Sequence, residues 1–229
     1  MLSEASGQND FGMRLFAIGD IHGCYSALLA LDEKLKLGAE DVVVTLGDYV
    51  DRGPDSRLVL DHLIALDQRA TLVPLLGNHE LMMLEARHGG DAFYHWSDAG
   101  GRATLDSYKG QTMEVIPARH WQFLETCRRF HETEQDFFVH ANAQPDLALA
   151  EQPDDMLFWE TFNHPPPHQS GRRMICGHTS QRSGEPLNLG HAVCIDTCAY
   201  GGGWLTCLEV NSGVYWQANQ LALLRTGTL

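Results

Sequence analysis

The sequence predicts an α/β fold, and two observations carry the prediction. Short apolar or β-branched runs alternate with amphipathic stretches early in the chain, and the second half turns to strands separated by tight turns. A β-α-β-α-β-α order requires parallel strands and right-handed crossovers, because a connecting helix packs back onto a right-twisted sheet in only that sense.

Each element has its own signal. RLFAI (Arg14 to Ile18) reads as a short buried strand. From Tyr25 to Leu37 the residues Leu28, Leu29, Leu31 and Leu35 recur at helical spacing. DVVVTL (Asp41 to Leu46) is a β-branched strand, Ser56 to Asp67 a second amphipathic helix, TLVPLL (Thr71 to Leu76) a third strand, and Glu80 to Arg87 a third helix. Asp91 to Lys109 mixes glycine, aromatic and polar residues, and Pro117 to Arg129 is helical in pattern, with Trp121, Phe123 and Leu124. FFVH (from Phe137), MICGH (from Met174), HAVCID (from His191), WLTCLEV (from Trp204) and GVYWQ (from Gly213) read as strands, and NHPPPH (Asn163 to His168) as a stiff loop. We expect one domain over residues 1–229, its core about 14–217, with a helical insertion at 91–130 and short tails.

Bulk properties narrow the function. The chain has 229 residues, 44% of them hydrophobic, enough for one sizeable core. Its formal charge is −14, and the 16 basic residues form no stripe, which argues against a nucleic-acid polymer or an anionic membrane as partner. No apolar run approaches the ~18 residues that span a bilayer, and the polar start MLSEASGQNDFG lacks a secretory pattern. The expectation is a soluble, cytoplasmic protein whose six cysteines are reduced thiols. An anionic substrate would then need positive charge supplied locally.

The polar clusters at the strand ends suggest a source for that charge. The first strand runs into GDIHG, with Asp20 and His22; the second into GDYVDRG, with Asp48, Asp51 and Arg52; the third into GNHE, with Asn78 and His79. Two later strands run into His140 and His178. In an open parallel sheet, ligands bind beyond the carboxyl ends of the strands, so these groups converge. Carboxylate, imidazole and amide oxygen together suit Mn, Fe or Zn. Asp48 is placed to bridge two such ions, and a two-metal pair clamps an in-line displacement at phosphorus. Any one of these histidines alone is more often a satisfied polar residue than a ligand; the ordered set at strand ends is what carries the reading.

GDIHGCY, GDYVDRGPDS, GNHE, GHT and IDT-x-AYGGG-x-LT together resemble the calcineurin-like metallophosphoesterases, and within them the phosphoprotein phosphatase branch with its short bacterial and phage serine/threonine phosphatases. The resemblance runs from Phe16 to about Leu208. It implies a central β-sandwich flanked by helices and two divalent ions, Mn first, Fe or Zn as alternatives. One ion would sit on Asp20, His22 and Asp48, the second on Asp48, Asn78, His140 and His178. His79 would be the general acid, Asp51 its orienting partner, and Arg52 and Asn78 would hold phosphate oxygens while a metal-bridging hydroxide attacks. The implied substrate is a phosphorylated protein or peptide, or a small phosphoester.

Departures from that branch qualify the substrate. Leu76 stands where an arginine usually precedes GNHE, and Thr161 stands where W-x-R usually places another. Arg102, after Ala99-Gly100-Gly101, is either a replacement guanidinium in substrate binding or a plain surface arginine. Leucine before GNH is a feature of the symmetrical dinucleoside tetraphosphatases, whereas Asp51 and Glu80 follow the protein-phosphatase pattern. A serine/threonine phosphatase-like phosphomonoesterase is therefore the first expectation, a dinucleoside tetraphosphate pyrophosphohydrolase the alternative, and a non-catalytic scaffold a distant third.

Overall fold

A computed structural model describes residues 13–229; the polar start MLSEASGQNDFG, with its expected lack of a secretory pattern, lies outside the described residues. The strands are β1 (Arg14–Ile18), β2 (Asp41–Thr45), β3 (Thr71–Pro74), β4 (Phe130–Glu132), β5 (Asp136–Val139), β6 (Arg173–Cys176), β7 (Leu187–Asn188), β8 (Ala192–Cys194), β9 (Asp196–Thr197), β10 (Trp204–Glu209), β11 (Val214–Ala218) and β12 (Leu224–Thr228). The α-helices are α1 (Tyr25–Leu35), α2 (Ser56–Leu66), α3 (Asn78–Ala86), α4 (Asp91–Trp96), α5 (Arg102–Ser107), α6 (Ala118–Thr126) and α7 (Asp154–Phe158).

They form two sheets. One runs β12-β11-β10-β1-β2-β3, with β9 paired to β10; the other runs β4-β5-β6-β8-β7. β1, β2 and β3 are parallel, as are β5, β6 and β8. Strand alternation then sorts the core into layers. Ala17, Val44 and Val73 of the first sheet meet Phe138, Ile175 and Val193 of the second in one buried cluster between the sheets. The intervening residues Phe16, Ile18, Val43 and Leu72 turn the other way, onto Leu28 and Leu31 of α1 and Leu60 and Leu63 of α2. Phe137, Val139 and Met174 cover the outer face of the second sheet with Phe158 and Phe162. The result is the expected α/β sandwich flanked by helices. No helix among the described residues is long and apolar enough to cross a membrane.

Some boundaries differ from the sequence reading for local reasons. α1 stops at Leu35 because Lys36 takes a left-handed conformation (φ 52°, ψ 52°) and its N–H closes on Asp32 O. α3 starts at Asn78, two residues before the expected Glu80. Gly77 supplies an extended N-cap, and the Glu80 carboxylate reaches back to its N–H at 2.9 Å. Asn78 and His79 therefore project from a first helical turn. β12 had no sequence signal: LRTGT is polar and half-exposed, and it becomes a strand by pairing along β11.

Candidate metal centre

Loops leaving β1, β2, β3, β5 and β6 bring the candidate residues to one edge of the sandwich. Asp20, His22, Asp48, Asp51, Asn78, His79 and His140 are all buried. Their loops are held in demanding backbone geometry. His22, Asp48, Asp51, Arg52 and His178 all have positive φ, between 44° and 70°. Non-glycine residues in that region carry strain and cluster where a site over-determines the backbone. Gly77 permits a close approach: a Cβ there would lie 2.2 Å from Asp48 Oδ1 and 2.5 Å from Asp48 N.

Two groups of ligand-type atoms form, sharing Asp48: His22, Asp48 and His79 on one side, and Asp48, His140 and His178 on the other, each within 4.8 Å of one another. His140 Nδ1 donates to Leu46 O at 2.8 Å. A carbonyl only accepts, so Nδ1 carries the proton and Nε2 presents a lone pair. His178 Nε2 lies 3.2 Å from Trp159 O, which leaves its Nδ1 as the lone-pair atom. Yet His140 Nε2 stands 3.2 Å from His178 Nδ1, 3.0 Å from Asn78 Oδ1 and 3.6 Å from Asp48 Oδ1. Four acceptors thus converge with no proton among them. Burial disfavours charge on both imidazoles: it lowers the His140 pKa, and it pushes that of His178 down to about 4 with help from His140. A divalent cation satisfies such a set, and Asn78, His140, His178 and Asp48 fit one.

The other half repeats the device. His22 Nδ1 donates to Val50 O at 2.9 Å, turning Nε2 toward Asp48 Oδ2 at 3.2 Å. Burial disfavours charge on His22, but Asp48 outweighs it and raises the pKa. Burial also opposes ionisation of Asp48, yet His140, His79 and His22 hold its carboxyl well below the usual range. Asp20 has no such company: burial, Asp196 and Asp48 raise its pKa well above the ordinary value. Its carboxylate accepts the His178 N–H at 3.0 and 3.1 Å, and it lies outside both ligand groups. A cation beside Asp20 and Asp48 would relieve their repulsion.

His79 faces the same space. Its Nδ1 lies 2.7 Å from Asp51 Oδ2, and its buried Nε2 has no protein partner. Arg52 Nη1 lies 3.0 Å from His22 Nε2, with its guanidinium carbon 4.7 Å over the Tyr200 ring. Arg102 is placed elsewhere, exposed on a pocket with Phe93, Tyr94 and Asp106 that contains none of the ligand candidates.

Several supporting residues escaped the sequence reading. Trp96 Nε1 donates to Asp51 Oδ2 at 2.9 Å, and Thr104 Oγ1 donates to Asp51 Oδ1 at 2.7 Å. Both come from the segment after α3 that the sequence reading took as a helical insertion. Glu80, read as a helix-start carboxylate, is fully buried and accepts the N–H groups of Asp48, Tyr49, Val50 and Gly77 at 2.7 to 3.3 Å. Burial and Asp48 push its pKa up to about 8, with those N–H groups pulling the other way. The one available signal was Glu80's position three residues after Gly77, a capping-box spacing.

Comparison with known proteins agrees with this geometry. The calcineurin-like phosphoesterase family profile matches residues 13–193. The chain is 42% identical over 184 residues to a symmetrical bis(5'-nucleosyl)-tetraphosphatase of Cellvibrio japonicus, covering 77% of this chain and 65% of the relative. It is 30% identical over 143 residues to the protein of that name from Nitrosomonas europaea, covering 60% and 47%. Similarity to serine/threonine-protein phosphatase 1 of Salmonella typhimurium is 39% over 74 residues, 32% of each chain. The chain spans less than two thirds of the length of each of these relatives. Among solved structures, a Saccharomyces cerevisiae serine/threonine phosphatase similar to human PP5 superposes with a TM-score of 0.60 at 17% identity, over 97% of this chain and 82% of that one. A protein-tyrosine phosphatase of a Shewanella species gives 0.61 at 20% identity, over 93% and 80%. A sandwich edge that gathers histidine, aspartate and asparagine acceptors around one shared carboxylate is what a divalent-metal phosphoester hydrolase requires, and this chain belongs to the calcineurin-like phosphoesterases.

Proposed function

We propose that the protein is a metal-dependent hydrolase of dinucleoside polyphosphates, cutting a phosphoanhydride bond. The observation that carries this substrate class is the thin phosphate grip. Arg52 is the one guanidinium that touches the ligand groups among the described residues. Leu76 packs against the cluster of Phe137 and Phe158, and Thr161 is exposed, so neither offers the cation that its position usually holds in the protein-phosphatase branch. The longer similarity to chains named symmetrical tetraphosphatases supports the same class. The sequence alone put a serine/threonine phosphatase first; these findings favour the alternative.

Asp20, His22, Asp48, Asn78, His140 and His178 would hold two divalent ions. When bound, such ions polarise phosphoryl oxygens and acidify water. Arg52 binds non-bridging phosphoryl oxygens through its planar fork. His79 delivers a proton from Nε2 to the leaving oxygen, while Asp51 holds Nδ1 and fixes the ring. Trp96 and Thr104 hold Asp51 in turn.

The test is side-by-side turnover of diadenosine tetraphosphate and a phosphoserine peptide by Mn²⁺-loaded protein. Preference for the dinucleotide is expected, with two nucleoside diphosphates as products; strong preference for the peptide would sink the proposal. The Asp51–His79 pair favours the second reading, a protein phosphatase, because a serine alkoxide needs a proton to leave. A phosphate leaving group, with its second pKa near ~6, needs far less help. His79→Asn should thus cost about 10²–10⁴ in turnover on an alkyl monoester, the usual worth of a general acid. On the anhydride it should cost clearly less.

A further inference from the structure

Most arginines on this surface are paired with carboxylates: Arg14 with Asp41, Arg119 with Asp61, Arg173 with Asp136, Arg225 with Glu185. Arg182 is exposed and has no such partner among the described residues. It lines an open pocket of ≈ 440 Å³ together with Thr197, Cys198, Tyr200 and the run Gly201–Gly203. The pocket adjoins the metal centre through Tyr200, whose ring centroid lies 4.9 Å from that of His22 and whose face carries the Arg52 guanidinium.

The wall of this pocket is built rather than loose. Cys198 has positive φ (62°) and its N–H donates to buried Asp196 Oδ1 at 2.9 Å. Gly203 N–H closes the turn on Cys198 O at 2.9 Å, and a Cβ on Gly203 would lie 2.3 Å from Thr197 O. Gly201 and Gly202 are exposed and place no side chain over the opening. A preorganised wall loses little freedom when a ligand arrives.

We propose that this pocket receives the phosphates beyond the scissile bond, with Arg182 binding the distal phosphate and thereby favouring polyphosphates over monoesters. The inference rests on the phosphoanhydride reading. A monoester presents a single phosphoryl group, which the metal centre and Arg52 serve. A polyphosphate carries further negative charge away from that centre, and a chain of net charge −14 repels it unless a cation meets it. Leu76 and Thr161 supply none, so the unpaired guanidinium beside Tyr200 is the cation in place. Its planar fork suits two phosphate oxygens at once.

The experiment compares wild type, Arg182→Ala and Arg182→Lys, all Mn²⁺-loaded, on diadenosine tetraphosphate and p-nitrophenyl phosphate. Loss of one charge-assisted contact should lower the dinucleotide-to-aryl-phosphate ratio of kcat/KM about tenfold or more, mainly through the dinucleotide KM. Arg182→Lys should recover part of the loss by restoring the charge without the fork. If wild type cleaves the dinucleotide and Arg182→Ala leaves the ratio unchanged, the pocket assignment falls alone. If wild type cleaves only the aryl phosphate, the phosphoanhydride reading falls and takes the pocket assignment with it.

Discussion

Thr104→Val tests whether the insertion behind the site positions its chemistry. The substitution keeps the branched shape and removes one hydroxyl. That hydroxyl donates to Asp51 Oδ1 at 2.7 Å and accepts the Asp51 N–H at 2.8 Å, in a pocket where Asp51 and Thr104 are both fully buried. The N–H keeps a partner in Ser56 Oγ at 3.1 Å, but Oδ1 keeps none, because His79 and Trp96 both bind Oδ2. A hydrogen bond to a charged group is worth about 1.5–3 kcal/mol, and an orphaned buried acceptor adds its desolvation penalty, so we expect a loss of about 2–4 kcal/mol. At ~2–4 °C per kcal/mol for a chain of this size, Tm should fall by roughly 5–15 °C. A carboxylate held by one oxygen swings more freely, so His79 should lose its fixed orientation and turnover should fall about tenfold, as misplaced acid catalysts do. Thr104→Ser keeps the hydroxyl and should recover most of both effects. Thermal unfolding and turnover of an alkyl monoester are the two assays. A Thr104→Val protein with unchanged Tm and unchanged turnover would refute the argument that this hydroxyl holds Asp51.

Three further outcomes are expected. Chelation should abolish activity and lower Tm, since the acceptors around His140 lose the cation that satisfies them; a ligand at 100 times its Kd contributes about 2.7 kcal/mol, and an unchanged Tm would contradict the assigned donor set. Gly77→Ala should destroy metal binding while leaving the far-UV spectrum near native, because its Cβ would collide with Asp48 Oδ1 and N; normal metal content would count against this. His120 and His131 should each contribute less stability as pH drops from about 7 to 5, the range below the ordinary histidine pKa of ~6.5, against the opposite pull of Glu80, whose raised pKa lets the folded chain hold a proton there. Burial lowers the pKa of His120 and of His131, with Arg128 adding to the effect at His131. The unfolded chain therefore takes protons there that the folded chain declines, which favours unfolding as pH falls. Asp32 and Asp61, held low by their His and Arg partners, keep their contribution until more acidic pH. In a His120→Gln protein, which cannot take up that proton, the change in Tm from pH 8 to 5 should be more favourable than in wild type; an identical pH dependence would refute the sign.

The ligand candidates were legible because each comes directly after an apolar strand. Asp20 and His22 after β1, Asp48 after β2 and Asn78 after β3 needed only strand periodicity and the rule that parallel strands end at one edge. Their supports were not legible. Trp96 and Thr104 reach Asp51 across 45 and 53 residues of sequence, and nothing local marks a tryptophan or threonine as a donor to a distant carboxylate. Glu80 was visible as a helix-start residue, but its bonds to Asp48 and Tyr49 depend on how β2 and β3 lie side by side, a tertiary fact. Tyr200 sits in a glycine-rich motif whose sequence gives it no role; only the fold sets its ring beside both His22 and Arg52.

Leu76 ties packing to substrate choice. At the end of β3 its N–H donates to Arg128 O at 2.8 Å, and its side chain lies against the Phe137 and Phe158 layer. An arginine at that position would have to give up this apolar contact to reach the site. Leucine instead takes the packing, and the site gives up a cation on that side. What replaces it is asymmetric. Arg52 lies over the Tyr200 ring beside His22, and Arg182 lines the pocket that Tyr200 shares, while His178 Nε2 faces the carbonyl of Trp159, a residue 43% exposed. A substrate with one phosphoryl group gains nothing from charge displaced to one side. On the proposed phosphoanhydride reading, a substrate with a phosphate chain would be drawn along it, and the same residue that weakens the likeness to protein phosphatases would give the site a direction.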